Sequence, residues 1–161
     1  MPKKFKSFEH LLKPDPRFNN KAIGRFINCI MQEGKKSTAQ RNFYGALDII
    51  QKKITDIPPV EVFNKAIDNV KPAMEVRSKR IGGATYQVPV PVPSKRQMSL
   101  AVRWIITSVR KKKGKPFSVK LADEIMAAYK NEGEAIGTKI NVHKMAEANR
   151  AFAHFAWSIK R

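Results

Sequence analysis

From Asn20 the apolar positions Ile23, Phe26, Ile27, Ile30 and Met31 recur at intervals of three and four, which predicts an amphipathic helix stopped by Gly34. A second helix follows, capped by Ser37 or Thr38, with Ala39, Phe43, Leu47, Ile50 and Ile54 inward until "DIPP" ends it. Pro59 suits the first turn of a third, whose Val62, Phe63, Ala66, Ile67 and Val70 form one stripe before Pro72 forbids continuation. Ser94 and Gln97 fit a capping box that opens a fourth helix, with Met98, Ala101, Val102, Ile105 and Val109 on its core face. A fifth opens near Ser118, uses Leu121, Ala122, Ile125, Met126 and Tyr129, and closes at the "NEG" that contains Gly133. A sixth is predicted from about Asn141 to Trp157, with Val142, Met145, Ala146, Asn149 and Phe152 inward and Phe155 as a further candidate.

Between the third and fourth helices the pattern changes to two extended runs that meet at Gly82-Gly83, an insertion at about residues 74–92. A two-residue turn there pairs Ile81 with Ala84, Lys79 with Tyr86 and Arg77 with Val88 as hydrogen-bonded pairs. Val76 then faces Pro89 and Met74 faces Pro91 at positions that need no ladder donor, whereas a slip of one residue would put both prolines where an N–H is required. Pro93 continues the parity and blunts the outer edge, so the hairpin is expected to stand alone. At about 3.3 Å per residue it would reach roughly 30 Å.

The fold class expected is mainly α: a single domain of about six helices over residues 19–157, with a protruding two-stranded β-hairpin. A basic N-terminal arm, residues 1–18, precedes it, and a short basic tail, residues 158–161, follows. The arm carries Lys3, Lys4, Lys6 and Lys13, ends in the stiff "KPDP", and is expected to be mobile when unbound.

Charge changes what this helical domain is for. The chain has 32 Lys and Arg against 13 Asp and Glu, a net charge of +19, and self-repulsion of that size calls for a polyanionic partner. Nucleic acid leads because condensed phosphates relieve the repulsion and release counterions, with an anionic membrane surface a distant second. No apolar run approaches the roughly 18 residues of a bilayer span, and the first residues lack the apolar stretch of a secretory signal, so no membrane partner is expected. Cys29, the single cysteine, excludes an intramolecular disulfide and a cysteine-cluster zinc site, and beside an apolar helix face it reads as a buried, inert thiol.

Arg96, Arg103 and Arg110 lie seven apart with Ser99 and Thr107 between them, which lines them on one face of the fourth helix opposite its apolar stripe. "RKKKG" puts Lys111, Lys112 and Lys113 at that helix's last turn, where the dipole favours cations. His143, Glu147, Arg150 and His154 form a polar stripe on the sixth. Those two histidines are eleven positions apart, about 16 Å along a helix, too far to share a metal. "EGKKST" fails as a phosphate-binding loop: Lys36 occupies the Ser/Thr position, Cys29 the first glycine, and a helix precedes it where a strand is needed. No catalytic grouping and no cofactor motif is evident, so the chain is not read as an enzyme and no cofactor is expected.

The blocks "PDPRF", "MQEGKKSTA", "VKPAMEVRSKRIGGATYQVPV", "AVRWI" and "VHKMAEANRAFAHFAW" fall in the order and spacing of the small-subunit ribosomal protein seven family, in its bacterial and organellar form, and the chain resembles that family from about Pro14 to Trp157. The resemblance implies a structural constituent of the small ribosomal subunit in the bacterial cytoplasm, the mitochondrial matrix or the plastid stroma. It would be a primary binder of the 3′ major domain of ribosomal RNA that nucleates head assembly and admits ribosomal proteins nine, thirteen and nineteen. Its hairpin would lie near ribosomal protein eleven, the exit-site tRNA and the messenger RNA, and some bacterial members also repress their own messenger RNA. Two departures stand out: Asn42 replaces a frequent aliphatic residue, and Phe155-Ala156 replaces a frequent Tyr-Arg.

By position, the resemblance assigns RNA contacts to the arm lysines, Lys35, Lys36, Arg77, Lys79, Arg80, Arg96, Arg103 and Arg150. With Lys95, Arg110, Lys111, Lys112 and Lys113 these make the candidate set, and Arg80, Gly82, Gly83 and Thr85 make the hairpin tip expected near tRNA and messenger RNA. The reading from another class is an architectural DNA-bending protein that uses a basic ribbon with prolines in a minor groove.

Overall fold

One phenylalanine from each of the first three helices meets the other two at the centre of the protein. The structure, a computed structural model, describes residues 12–158. Helix α1 runs Lys21–Ile30, α2 Lys36–Lys53 and α3 Pro59–Val70. Their Phe26, Phe43 and Phe63 are fully buried, with ring centroids 4.9–5.5 Å apart in tilted and edge-on contacts, the geometry aromatic quadrupoles favour. Helix α4, Ser94–Lys111, adds Ile105 and Val109, and α5, Phe117–Tyr129, adds Leu121 and Ile125. Helix α5 is central, packed against α2, α3, α4 and α6, the last of which spans Glu134–Ala148.

The ribbon is β1, Met74–Ile81, paired antiparallel with β2, Ala84–Pro91. Its register is the expected one, Ile81 with Ala84 through Met74 with Pro91, and the Val92 N–H to Ala73 carbonyl bond of 3.0 Å continues the ladder. Gly82 and Gly83 have φ of 55° and 88°, the two left-handed residues that a turn matched to strand twist requires.

The hairpin does not stand alone. Val88 is fully buried, and the Tyr86 ring lies 5.2 Å from that of Phe152 and 5.3 Å from that of Phe155. An isolated two-strand ribbon is marginal in water, and the C-terminal segment supplies the apolar support it lacks. Free length is left to the distal end: Arg80, Gly82, Gly83, Ala84 and Thr85 are exposed.

The sixth helix departs most from expectation. It opens at Glu134, seven residues early, and ends at Ala148; Arg150–Ser158 continues as a 3₁₀ helix. The cap comes from another helix, since the buried Glu124 carboxylate of α5 accepts the Ala135 N–H at 2.9 Å. Gly133 makes the approach possible: its φ is 95°, and a Cβ there would sit 3.2 Å from Glu124 Oε1. With the break at Asn149 the stripe from His143 to His154 is not one helical line, and Met145, expected inside, is 51% exposed.

Two caps also differ. Helix α2 begins at Lys36 after Lys35, with no side-chain cap, because a tight turn with Lys35 N–H on the Gln32 carbonyl starts the helix before Ser37 and Thr38 are reached. Helix α4 is entered from Pro93, whose carbonyl accepts the N–H groups of Arg96 and Gln97 at 2.9 Å, so Ser94 is already helical and the capping box does not form.

The segment expected to be a free arm is tied down by residue 15. Asp15, 2% exposed, accepts the N–H groups of Arg17 and Phe18 through one oxygen and the Tyr44 hydroxyl through the other at 2.6 Å. Lys3, Lys4 and Lys6 lie outside the described residues, as do the last three residues of the tail.

Candidate nucleic-acid interface

Helices α1 and α4 pack side by side, and neither contains an aspartate or a glutamate. They contribute Lys21, Arg25, Lys95, Arg96, Arg103, Arg110 and Lys111. The seven-residue spacing on α4 is close to two turns, so one face of it carries arginines while Ala101, Ile105 and Val109 bury the other. Between the helices lies a groove of about 390 Å³, with Arg25, Arg103 and Arg110 on its rim and Met98, Val102 and Ile106 in its floor. Arg25 and Arg103 are exposed, and among the described residues neither side chain has a hydrogen bond or ion pair. Cys29, expected to be buried, is exposed in this groove: α1 turns its apolar stripe to α2 and leaves the Lys21, Arg25, Cys29 line outward.

Arg110 joins the groove to the loop before α2. Its guanidinium donates to the Ile30 carbonyl at 3.2 Å, capping the C-terminus of α1, and it also lines a recess of about 310 Å³ with Gln32, Lys35 and Thr38. Lys35, in that recess, and the next residue, Lys36, are both exposed, Lys35 within 2.7 Å of Glu33 in a pair open to solvent.

At the other end of α4 the ribbon is clamped. Glu75, buried on β1, accepts the Arg96 Nε–H through both oxygens at 2.8 and 2.7 Å and the Arg77 Nε–H at 2.7 Å. Burial alone would raise this carboxyl, but the hydrogen bonds from Arg96 and Arg77, with their charges, outweigh it and hold Glu75 below its ordinary value. Two cations thus share one anion, and the remaining donors of both guanidiniums are left over.

A model of the family described as ribosomal protein S7p/S5e matches residues 2–150. The chain belongs to the ribosomal protein S7 family. Proteins named small ribosomal subunit protein uS7 are similar along nearly their whole length: that of Rhodopirellula baltica is 56% identical over 144 residues, 89% of this chain and 92% of the relative. That of Thermotoga neapolitana is 53% identical over 146 residues, 91% and 94% of the two chains. That of Geotalea daltonii is 45% identical over 157 residues, 98% and 100%. This S7-family chain is therefore a structural, non-enzymatic protein of the small ribosomal subunit. No helix among the described residues is long and apolar enough to cross a membrane, and none of their His, Cys, Asp and Glu side chains cluster as a metal site.

In the S7-family chain the candidate cations divide by what already holds them. Lys112 bonds the buried carboxylate of Glu124, and its own carbonyl accepts the Lys120 ammonium at 2.7 Å, so it fastens α4 to α5. Lys111 pairs with Glu134 at 3.0 Å in the open, and Lys113 is exposed beside it. Lys79 donates to the Phe155 carbonyl at 3.1 Å and helps seat the C-terminal segment. Arg80, Lys95, Arg150 and Lys13 are exposed, Arg80 at the ribbon's far end and Arg150 at the mouth of a mostly apolar recess near Met74, Pro89 and His143.

Sequence reasoning missed Arg25, Glu75 and Glu124. Arg25 was legible: Lys21, Arg25 and Cys29 are four apart on α1, opposite its apolar stripe. Glu75 and Glu124 carried no such signal, because each is defined by partners 21 and 12 residues away.

Proposed function

We propose that this protein is a primary binder of small-subunit ribosomal RNA that nucleates assembly of the 3′ major domain, the head of the subunit. The observation that carries this reading is the carboxylate-free face of α1 and α4, where Arg25 and Arg103 are unpaired among the described residues and continue through Arg110 to Lys35 and Lys36. Phosphates are neutralised best by cations that lose no internal partner on binding. The clamp residues Arg77 and Arg96, the α4 lysines Lys95 and Lys111, Lys113 just beyond that helix, and the arm lysines extend this surface, with residues 1–18 as the arm and 158–161 as a tail.

The ribbon's exposed end, Arg80 with Gly82, Gly83 and Thr85, reaches toward the exit-site tRNA and the messenger RNA path, near ribosomal protein eleven; proteins nine, thirteen and nineteen join after this one. The ribosome is bacterial or organellar, and the similar proteins from bacteria favour the former. Against a DNA-bending role, the prolines lie at the ribbon's root, with Pro89 buried, whereas a minor-groove wedge has to stand at the tip.

The test is binding of the full chain to a 3′ major domain RNA fragment, without other proteins, against an unrelated structured RNA of equal length. Preference for the fragment, with affinity falling steeply as salt rises, is expected. Equal affinity for both RNAs at moderate salt overturns the reading.

A further inference from the structure

A wall that only neutralises phosphates needs charge and little else, yet the recess between α1 and α4 has an apolar floor of Met98, Val102 and Ile106 beneath its arginine rim. A duplex presents its backbone outward and leaves such a floor facing water. A splayed single-stranded nucleotide brings both an apolar face and the charge beside it. We propose that this groove holds one unpaired nucleotide, its base on the aliphatic floor and its flanking phosphates on Arg25 and Arg103. The proposal rests on the RNA-binding reading above and adds what kind of RNA element the groove selects.

The chemistry of the rim agrees. Guanidinium planes stack on bases as well as pairing with phosphates, and the Met98 thioether is polarisable and adapts to a flat ring. Apart from the rim arginines, hydrogen-bonding side chains in the groove are few: the Ser99 hydroxyl already donates to the Lys95 carbonyl at 3.0 Å, which leaves Thr107 as the groove's hydroxyl with no partner among the described residues. Base identity is therefore read weakly, and the site selects an unstacked nucleotide more than a particular base. A peptide fits less well, since its backbone N–H and C=O groups would lie unpaired on the apolar floor.

Cys29 makes the proposal testable, because it is the chain's single cysteine and lies in the groove. Two measurements use the full chain with the 3′ major domain RNA fragment and with a regular RNA duplex. In the first, Cys29→Trp fills the groove from its exposed side, and Cys29→Ser is the control. Affinity of the tryptophan variant for the fragment should fall about 5- to 100-fold, the loss of one stacked base, while the salt slope shifts by less than about one unit and duplex affinity holds. In the second, alkylation of Cys29 by iodoacetamide in the unaltered protein should be slowed by the fragment and not by the duplex; this decides the matter if the tryptophan variant does not fold. Unchanged fragment affinity of a folded variant, equal loss on both RNAs, or equal protection by both overturns the proposal while leaving RNA binding intact. Protection that appears only when neighbouring proteins are added assigns the groove to a protein and also overturns it. If the unaltered chain does not prefer the fragment at all, the underlying reading fails first.

Discussion

Both oxygens of Glu75 accept the same Nε–H of Arg96, at 2.8 and 2.7 Å, which pins the root of the ribbon to the first turn of α4. Glu75 is the buried partner, while the side chains of Arg96 and Arg77 are 46% and 41% exposed. Without the carboxylate, two cations would face each other across the ribbon's base.

Glu75→Gln should therefore lower stability by about 1–3 kcal/mol, with the exposure of the arginines keeping the loss below that of a fully buried pair. The folded carboxyl titrates below its ordinary value, so its stabilisation is complete above the ordinary carboxylate range and is lost as pH falls through the lowered value. Denaturant melts of the two proteins should differ at neutral pH and converge in acid.

Arg103→Ala and Lys112→Ala should behave as opposites. The first removes an exposed cation with no partner among the described residues; RNA affinity should fall, the salt slope should shrink by about 0.7–0.9, and stability should stay within about 0.5 kcal/mol. The second strips a fully buried carboxylate of its cation and should cost about 2 kcal/mol or more. Thermal melts with salt-dependent RNA titrations separate the two.

Tyr44 holds the base of the arm. Burial first, and then its bond to the Asp15 carboxylate, push the phenol up to about 12. Tyr44→Phe should cost about 1–2 kcal/mol. In the unaltered protein that stabilisation is present below the ordinary tyrosine value and lost as pH rises toward 12. An ultraviolet titration should show one of the three tyrosines ionising last, and the phenylalanine variant should lack that step.

Tyr86→Ala and Phe155→Ala should be coupled by about 0.5–1.5 kcal/mol in a double-mutant cycle, as two rings 5.3 Å apart should be. Either change should speed amide exchange in residues 150–158 while leaving α5 protected. Equal exchange in all variants would show that the ribbon does not hold the segment.

Removing Arg80–Thr85 and joining Lys79 to Tyr86 with a new two-residue turn keeps the ladder parity and cuts no buried side chain. Folding and most RNA-fragment affinity should survive. Reconstituted subunits should differ in retention of deacylated tRNA or in frame maintenance; unchanged behaviour in both would remove the tip from the exit-site role.

Helix-forming stripes, proline positions and the ribbon register were legible in the chain because each depends on neighbours within a few residues. Val62 to Val70 recur on one helical face, Pro89 and Pro91 tolerate one parity only, and Gly82-Gly83 admits one tight turn. The arginine line on α4 belongs here too, since spacing alone puts Arg96, Arg103 and Arg110 together. Where helices begin and end, and which cations are free, were decided by tertiary structure. Glu124 opens α6, Arg110 closes α1, and Asn69 closes α5 by donating to the Ala128 and Tyr129 carbonyls at 3.0 and 2.9 Å. An unpaired backbone group at a helix end accepts any suitable partner that packing brings near, and such a partner leaves no periodic trace in sequence. The same physics sorts the lysines: adjacent in sequence, Lys112 is bound to a buried carboxylate and Lys113 lies open to solvent, because a carboxylate that folding removes from water must take whichever cation the fold delivers to it.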